Sequence, residues 1–85
     1  MKEKEILLLQ TVDLEDNYKL TCMAIDASMT PTEEMVRQAI DFVYDPYNED
    51  QEEFENGIKS IIGFAECTQI RYYEFFWEKT KLYTE

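Results

Sequence analysis

No histidine occurs among the 85 residues. The commonest general base and the commonest nitrogen ligand for metals are therefore missing. Neither a Ser-His-Asp nor a Cys-His arrangement can be assembled within the chain. Glycine and proline are scarce, with two of each. Gly57 and Gly63 stand alone, so there is no glycine-rich phosphate loop, and little of the chain can serve as linker. Cysteine is limited to Cys22 and Cys67. Two distant thiols fit neither a CxxC redox motif nor zinc-ligand spacing, and in a reducing compartment they read as buried, unpaired groups. Long apolar runs are absent too. Ile6-Leu7-Leu8-Leu9 is shorter than the roughly 7–15 residues of a signal-peptide core, and nothing approaches the about 20 residues of a membrane span. The expected location is the cytoplasm. Bases are also few: 8 Lys and Arg face 19 Asp and Glu, for a formal net charge of −11. Such a chain is repelled by nucleic acids and anionic membranes, so the expected partner is a basic surface.

What the chain does contain argues for a folded domain. Hydrophobic residues make up 45% and aromatics 14%, against the pattern of a disordered acidic tail. The length suits one domain spanning 1–85, with a thin core. A small core often borrows a neighbour's, so a homodimer is compatible with this composition.

The element pattern predicts an α+β fold. Ile6 to Val12 and Tyr18 to Ala27 read as strands across the polar connection Asp13–Asn17, an antiparallel N-terminal β-hairpin. Thr30-Pro31-Thr32-Glu33 reads as a helix start, with Thr30 as cap, Pro31 at the first helical position and Glu33 completing a capping box. Met35, Val36, Ala39, Ile40 and Val43 then follow helical spacing, and Asp45-Pro46 ends the helix. A second amphipathic helix, capped by Asn48 or Asp50, runs to about Ile62 with Phe54, Ile58, Ile61 and Ile62 inward. Gly63 fits the position just past its end.

The aromatic segment from Cys67 to Tyr83 admits two readings. Its β-propensity is high. Yet Arg71, Glu74, Glu78, Lys81 and Glu85 fall at steps of three and four, the polar stripe of a helix, and a third helix is slightly favoured. The alternative adds a third strand to the hairpin. Five aromatics lie within six positions from Tyr72 to Trp77, and they cannot all point inward, so some should be exposed at an interface.

Carboxylates are the remaining chemical resource. Paired-carboxylate catalysis needs one acid in an apolar pocket, for which so small a domain has little volume, so no enzyme activity is expected. The segment Asp45–Glu53 is rich in oxygen ligands but lacks the alternate acids and central glycine of an EF-hand, so neither metal nor cofactor is expected. The distribution of charge is more informative. From Asp26 to Glu55 ten acids accompany one base, Arg37. Glu34, Asp41 and Asp45 share a helix face, and Glu49, Asp50, Glu52, Glu53 and Glu55 crowd the start of the next helix. Carboxylates at helical spacing lie about 5–6 Å apart and can approximate a row of phosphates. Acids in a first turn also favour the helix dipole, and acids in general aid solubility, but a ten-to-one excess goes beyond both.

In charge, size and absence of catalytic residues the chain resembles the small acidic proteins of phages and mobile elements that mimic DNA. Those proteins block restriction enzymes, CRISPR nucleases, repair glycosylases or nucleoid proteins. The resemblance implies an inhibitor that occupies the basic nucleic-acid-binding surface of a host protein. Its contacts would be Glu34, Asp41, Asp45, Glu49, Asp50, Glu52, Glu53 and Glu55, with Tyr44 and Tyr47 as nearby aromatic anchors. The competing expectation is a non-enzymatic interaction module, an antitoxin-like or accessory subunit that binds through its aromatic C-terminal segment.

Overall fold

The structure, a computed structural model, describes residues 2–43 and 50–84. Two strands, β1 (Lys2–Asp13) and β2 (Tyr18–Asp26), are followed by helices α1 (Glu33–Val43) and α2 (Gln51–Ile62), then by β3 (Thr68–Ile70) and β4 (Tyr73–Thr84). The strands form one antiparallel sheet in the order β2-β1-β4-β3. The class is α+β, and the order of hairpin and then helices is as the sequence predicts.

The first hairpin closes through Asp13, whose carboxylate accepts the N–H groups of Glu15 and Asp16 at 2.9 and 3.2 Å. This side-chain turn lets Asn17 take the left-handed conformation at φ 53°. A register shift between Leu9 and Gln10 leaves Cys22 as the extra residue of a β-bulge in β2. At the other end of β2, Asp26 accepts from the Ser28 hydroxyl and N–H at 2.6 and 2.9 Å and pairs with Lys4 at 3.0 Å. The Ser28 donors first, and Lys4 after them, pull its carboxyl down to about 2, from an ordinary value of about 3.9. A depressed carboxylate contributes stability above its unfolded pKa and loses it as the pH falls through the folded one. Asp26→Asn is therefore expected to flatten the loss of thermal stability between about pH 4 and 2. Melting temperatures of both forms across that range check this.

Both helices are capped by side chains, though not all where the sequence pointed. Thr32, rather than Thr30, accepts the Met35 N–H at 3.2 Å, so Glu33 is the first helical residue and no capping box forms. Pro31 is buried just before the cap, in the place where an apolar residue pins the entering chain. Asp50 caps α2 by accepting the Glu53 N–H at 3.1 Å; Asn48 lies outside the described residues, as does Asp45-Pro46, the expected end of the first helix. At the far end of α2, Gly63 has an ordinary φ of −77°, and the left-handed position falls one residue later, on Phe64 at φ 58°. The Phe64 N–H donates to Ile61 and the Ala65 N–H to Ser60, the paired bonds of a Schellman closure. The backbone does not call for glycine at 63, although a Cβ there would stand 3.3 Å from the Lys59 carbonyl oxygen, and a phenylalanine bears the left-handed strain at 64.

The core sits between one face of the sheet and the two helices. Leu9 and Phe75 from the sheet meet Val36, Ala39 and Ile40 of α1 and Phe54, Ile58 and Ile61 of α2, with Ile70 of β3 closing one side. Gly57 is buried where α2 passes β3. A methyl group there would stand 2.5 and 2.7 Å from Ile70 Cδ1 and Cγ1, and Ile70, fully buried, would have to shift against its packed neighbours. Gly57→Ala gains about 1 kcal/mol of helix propensity, but overpacking costs typically 1–3 kcal/mol, and this clash should fall in the upper part of that range. The expected net result is destabilisation by about 1–2 kcal/mol, measurable by urea denaturation.

The slightly favoured C-terminal helix does not occur. Residues 68–84 form a hairpin, and β4 pairs with β1 along its whole length, from Asp13↔Tyr73 to Lys2↔Thr84. The sheet thus has four strands rather than the three of the alternative reading. Tyr73, Phe75 and Trp77 alternate onto the helix side, and the Trp77 indole N–H donates to the Ile61 carbonyl at 2.9 Å beside the Phe64 ring. Glu74 and Glu78 fall on the opposite face. Arg71 sits at φ 53° in the turn, and Lys81 pairs with Glu3 at 2.7 Å. Arg71, Glu74, Glu78 and Lys81, which look like one helical stripe, are therefore spread over a turn and both faces of a strand; Glu85 lies outside the described residues. Twelve cross-strand pairs outweigh their helical spacing.

Candidate functional site

The acidic residues gather on the outer side of the helical layer because the inner side is taken. In α1 the buried positions are Val36, Ala39 and Ile40, which leaves Glu33, Glu34, Gln38, Asp41 and Phe42 exposed. In α2 the buried positions Phe54, Gly57, Ile58 and Ile61 leave Glu52, Glu53 and Asn56 exposed, with Asp50 at the cap. The capping requirement and the helix dipole place Asp50, Glu52 and Glu53 together at one end.

Six of the ten residues expected at a partner-binding surface are thus located: Glu34, Asp41, Asp50, Glu52, Glu53 and Glu55. Tyr44, Asp45, Tyr47 and Glu49 lie outside the described residues. Of the six, Glu55 is the one drawn into the structure. It hydrogen-bonds Arg37, which also reaches Glu33 at 3.9 Å and lies over the Phe54 ring at 5.6 Å from its centroid. The Arg37 hydrogen bond holds the Glu55 carboxyl below the usual range and raises the guanidinium in return. The one base of the acidic stretch therefore ties α1 to α2, and Glu55 is better described as its anchor than as an open contact. Glu53 approaches the Arg71 N–H at 3.4 Å, and Glu34 the Gln38 side chain at 3.4 Å. These are long, weak bonds that leave both carboxylates accessible.

An open groove of about 580 Å³ runs beside these acids between α2 and β3. Asp50, Glu52 and Glu53 line it at one end, and Asn56, Ser60 and Gln69 further along. Every one of these side chains carries a hydrogen-bond acceptor, so the groove suits a cationic side chain. Among the described residues no group of three or more thiols and carboxylates is placed to hold a metal ion. No described helix is long and apolar enough to cross a membrane. Comparison with protein-family models, curated proteins and solved structures gives no match to this chain.

Two features were missed in the sequence. Phe42 is 78% exposed beside Asp41, although the helical spacing of its neighbours already set it off the buried stripe. In the sequence Arg37 stands as the lone base among ten acids, and its i, i+4 spacing from Glu33 is the sign of a structural pair. The cysteines are both unpaired, but only Cys22 is substantially covered, and burial pushes its thiol up to about 11. Cys67, expected to be buried, is exposed in the connection between α2 and β3.

Of the aromatic tail, Phe75 and Trp77 are committed to the core side. Tyr72 and Tyr83 are exposed, and Phe76 lies on the far face of the sheet under Lys19, whose ammonium is 5.6 Å from the ring centroid. Replacing Trp77 would therefore disturb packing before it disturbed any partner.

Proposed function

We propose that this protein is a non-enzymatic inhibitor that presents its helical carboxylates to the basic nucleic-acid-binding surface of a host nuclease or DNA-binding protein, in place of DNA phosphates. The observation that carries the reading is the exposed acidic layer on α1 and at the start of α2, with one internal base, Arg37, which is already paired. Glu34 and Asp41 extend it along α1, and Asp50, Glu52 and Glu53 flank a groove able to take a lysine or arginine side chain. Like-charge crowding of this kind costs self-repulsion, which contact with a cationic surface relieves.

Immobilised protein, incubated with host lysate at low salt and eluted first by a salt gradient and then by duplex DNA, tests the reading. A nuclease or other DNA-binding protein released by DNA supports it. Retention of a partner indifferent to both salt and DNA overturns it and favours recognition through the exposed aromatics Tyr72 and Tyr83.

A further inference from the structure

The helices cover one face of the sheet, and the register defines the other. Ile6, Leu8, Gln10 and Val12 of β1 lie there opposite Thr80, Glu78, Phe76 and Glu74 of β4, and opposite Asp26, Ala24, Thr21 and Lys19 of β2. Ile6, Leu8, Val12 and Phe76 are partly exposed, and Leu82 is exposed. At the centre Gln10, only 4% exposed, donates to Glu78 at 2.8 Å and accepts from Thr21 at 2.7 Å. A buried polar link thus sits within a mixed surface of apolar and charged side chains that no described element covers.

The charges on this face cancel. Lys2, Lys4 and Lys19 stand against Asp26, Glu74 and Glu78, three of each sign, and Lys4–Asp26 and Lys19–Glu78 are paired at 3.0 and 4.0 Å. The face contributes nothing to the formal −11. A second copy can approach here with both acidic helical layers pointing away from each other, whereas any contact between helical layers would set acid against acid. Edge-to-edge pairing is discouraged, because β2 carries the Cys22 bulge and β4 carries Lys79 and Lys81 beyond the reach of β3.

We propose that a second copy of this chain docks on the open face of the sheet, giving a two-fold dimer with the two sheets back to back and the acidic helices outermost. Strands of 12, 12, 9 and 3 residues, at about 3.3 Å per residue and 4.8 Å spacing, present a footprint of roughly 550 Å² per copy. That is the lower end of specific interfaces, so the dimer is reversible, with a dissociation constant in roughly the micromolar range. Salt screens the repulsion between the two acidic copies and tightens it, the opposite of its effect on binding to a basic partner.

Sedimentation equilibrium of the full chain tests this. Between about 5 and 500 µM the weight-average mass should rise from the monomer value towards twice that value, and the midpoint should move at least about threefold lower in concentration between 50 mM and 500 mM NaCl. Leu8→Glu should abolish the rise while circular dichroism stays native. Ala24→Glu, at an exposed position opposite Leu8, provides the same test should Leu8→Glu fail to fold. A mass fixed at the monomer value throughout, a dimer weakened by salt, or association unchanged in the folded variants would each overturn the proposal.

Discussion

Phe75→Ala is expected to cost about 3–5 kcal/mol, the usual penalty for emptying a large buried aromatic site. Phe76→Ala, one residue along the same strand, should cost about 1 kcal/mol or less. Phe75 is 1% exposed and meets residues from both helices and β1. A small domain has about 5–15 kcal/mol of total stability, so this loss leaves little or no native population at raised temperature. Phe76 points to the other face, where it holds the Lys19 ammonium and is partly solvated. Urea denaturation of the two variants reads the contrast directly. A reversed contrast would mean that β4 faces the other way, and equal losses would mean that the segment does not alternate as a strand. The same pair of variants therefore tests the element the sequence left most open.

Neutralising the acidic layer should give the largest functional effect. In the variant Glu34→Gln/Asp41→Asn/Glu52→Gln/Glu53→Gln the four side chains keep their size and lose their charge. Exposed ion pairs contribute about 0.2–1 kcal/mol each, so four of them should weaken binding to a basic partner by roughly 1–4 kcal/mol, about fivefold to several hundredfold. The steepness of the salt dependence should fall with it, since fewer charges are matched across the contact. A control, Glu15→Gln/Glu66→Gln, removes acids that lie outside the two helices and should change affinity little. Titration calorimetry with the protein recovered by DNA elution, at two salt concentrations, measures both. An effect of the control about half that of the quadruple variant, in proportion to the charges removed, would show that net charge matters and its arrangement does not. Glu55 is left out deliberately, because losing its bond to Arg37 would loosen α1 against α2 as well.

The parts of the fold legible in the sequence are those fixed by local chemistry. The first hairpin follows from two alternating runs around Asp13–Asn17, and both helices follow from apolar spacing and from Asp50 as a cap. What was not legible depends on contacts distant in sequence. Phe76 breaks the alternation of β4 because it has a use on the second face of the sheet, and only pairing with β1 decides between strand and helix there. Thr30 and Thr32 are equally good caps by composition, and the structure uses Thr32, with Pro31 buried just before it. At the candidate site the clustering of charge was legible, since it needs only helix periodicity. The diversion of Glu55 into an ion pair with Arg37 was not, because the two residues sit on different helices.

The pairing of β1 with β4 has a consequence for how the chain acquires its structure. These strands are joined by the whole of the intervening sequence, so the central contact of the sheet closes the longest loop available. Non-local pairing of this kind slows folding, because chain entropy is lost before the contact repays it. The first hairpin and the two helices can form early, but without Phe75 and Trp77 they have an incomplete core. During synthesis the native state must therefore wait until residue 84 has left the ribosome. Until then the core around Leu9, Ile40 and Ile58 lacks the β4 side chains that complete it, and the early intermediate should depend on chaperones more than its small size suggests.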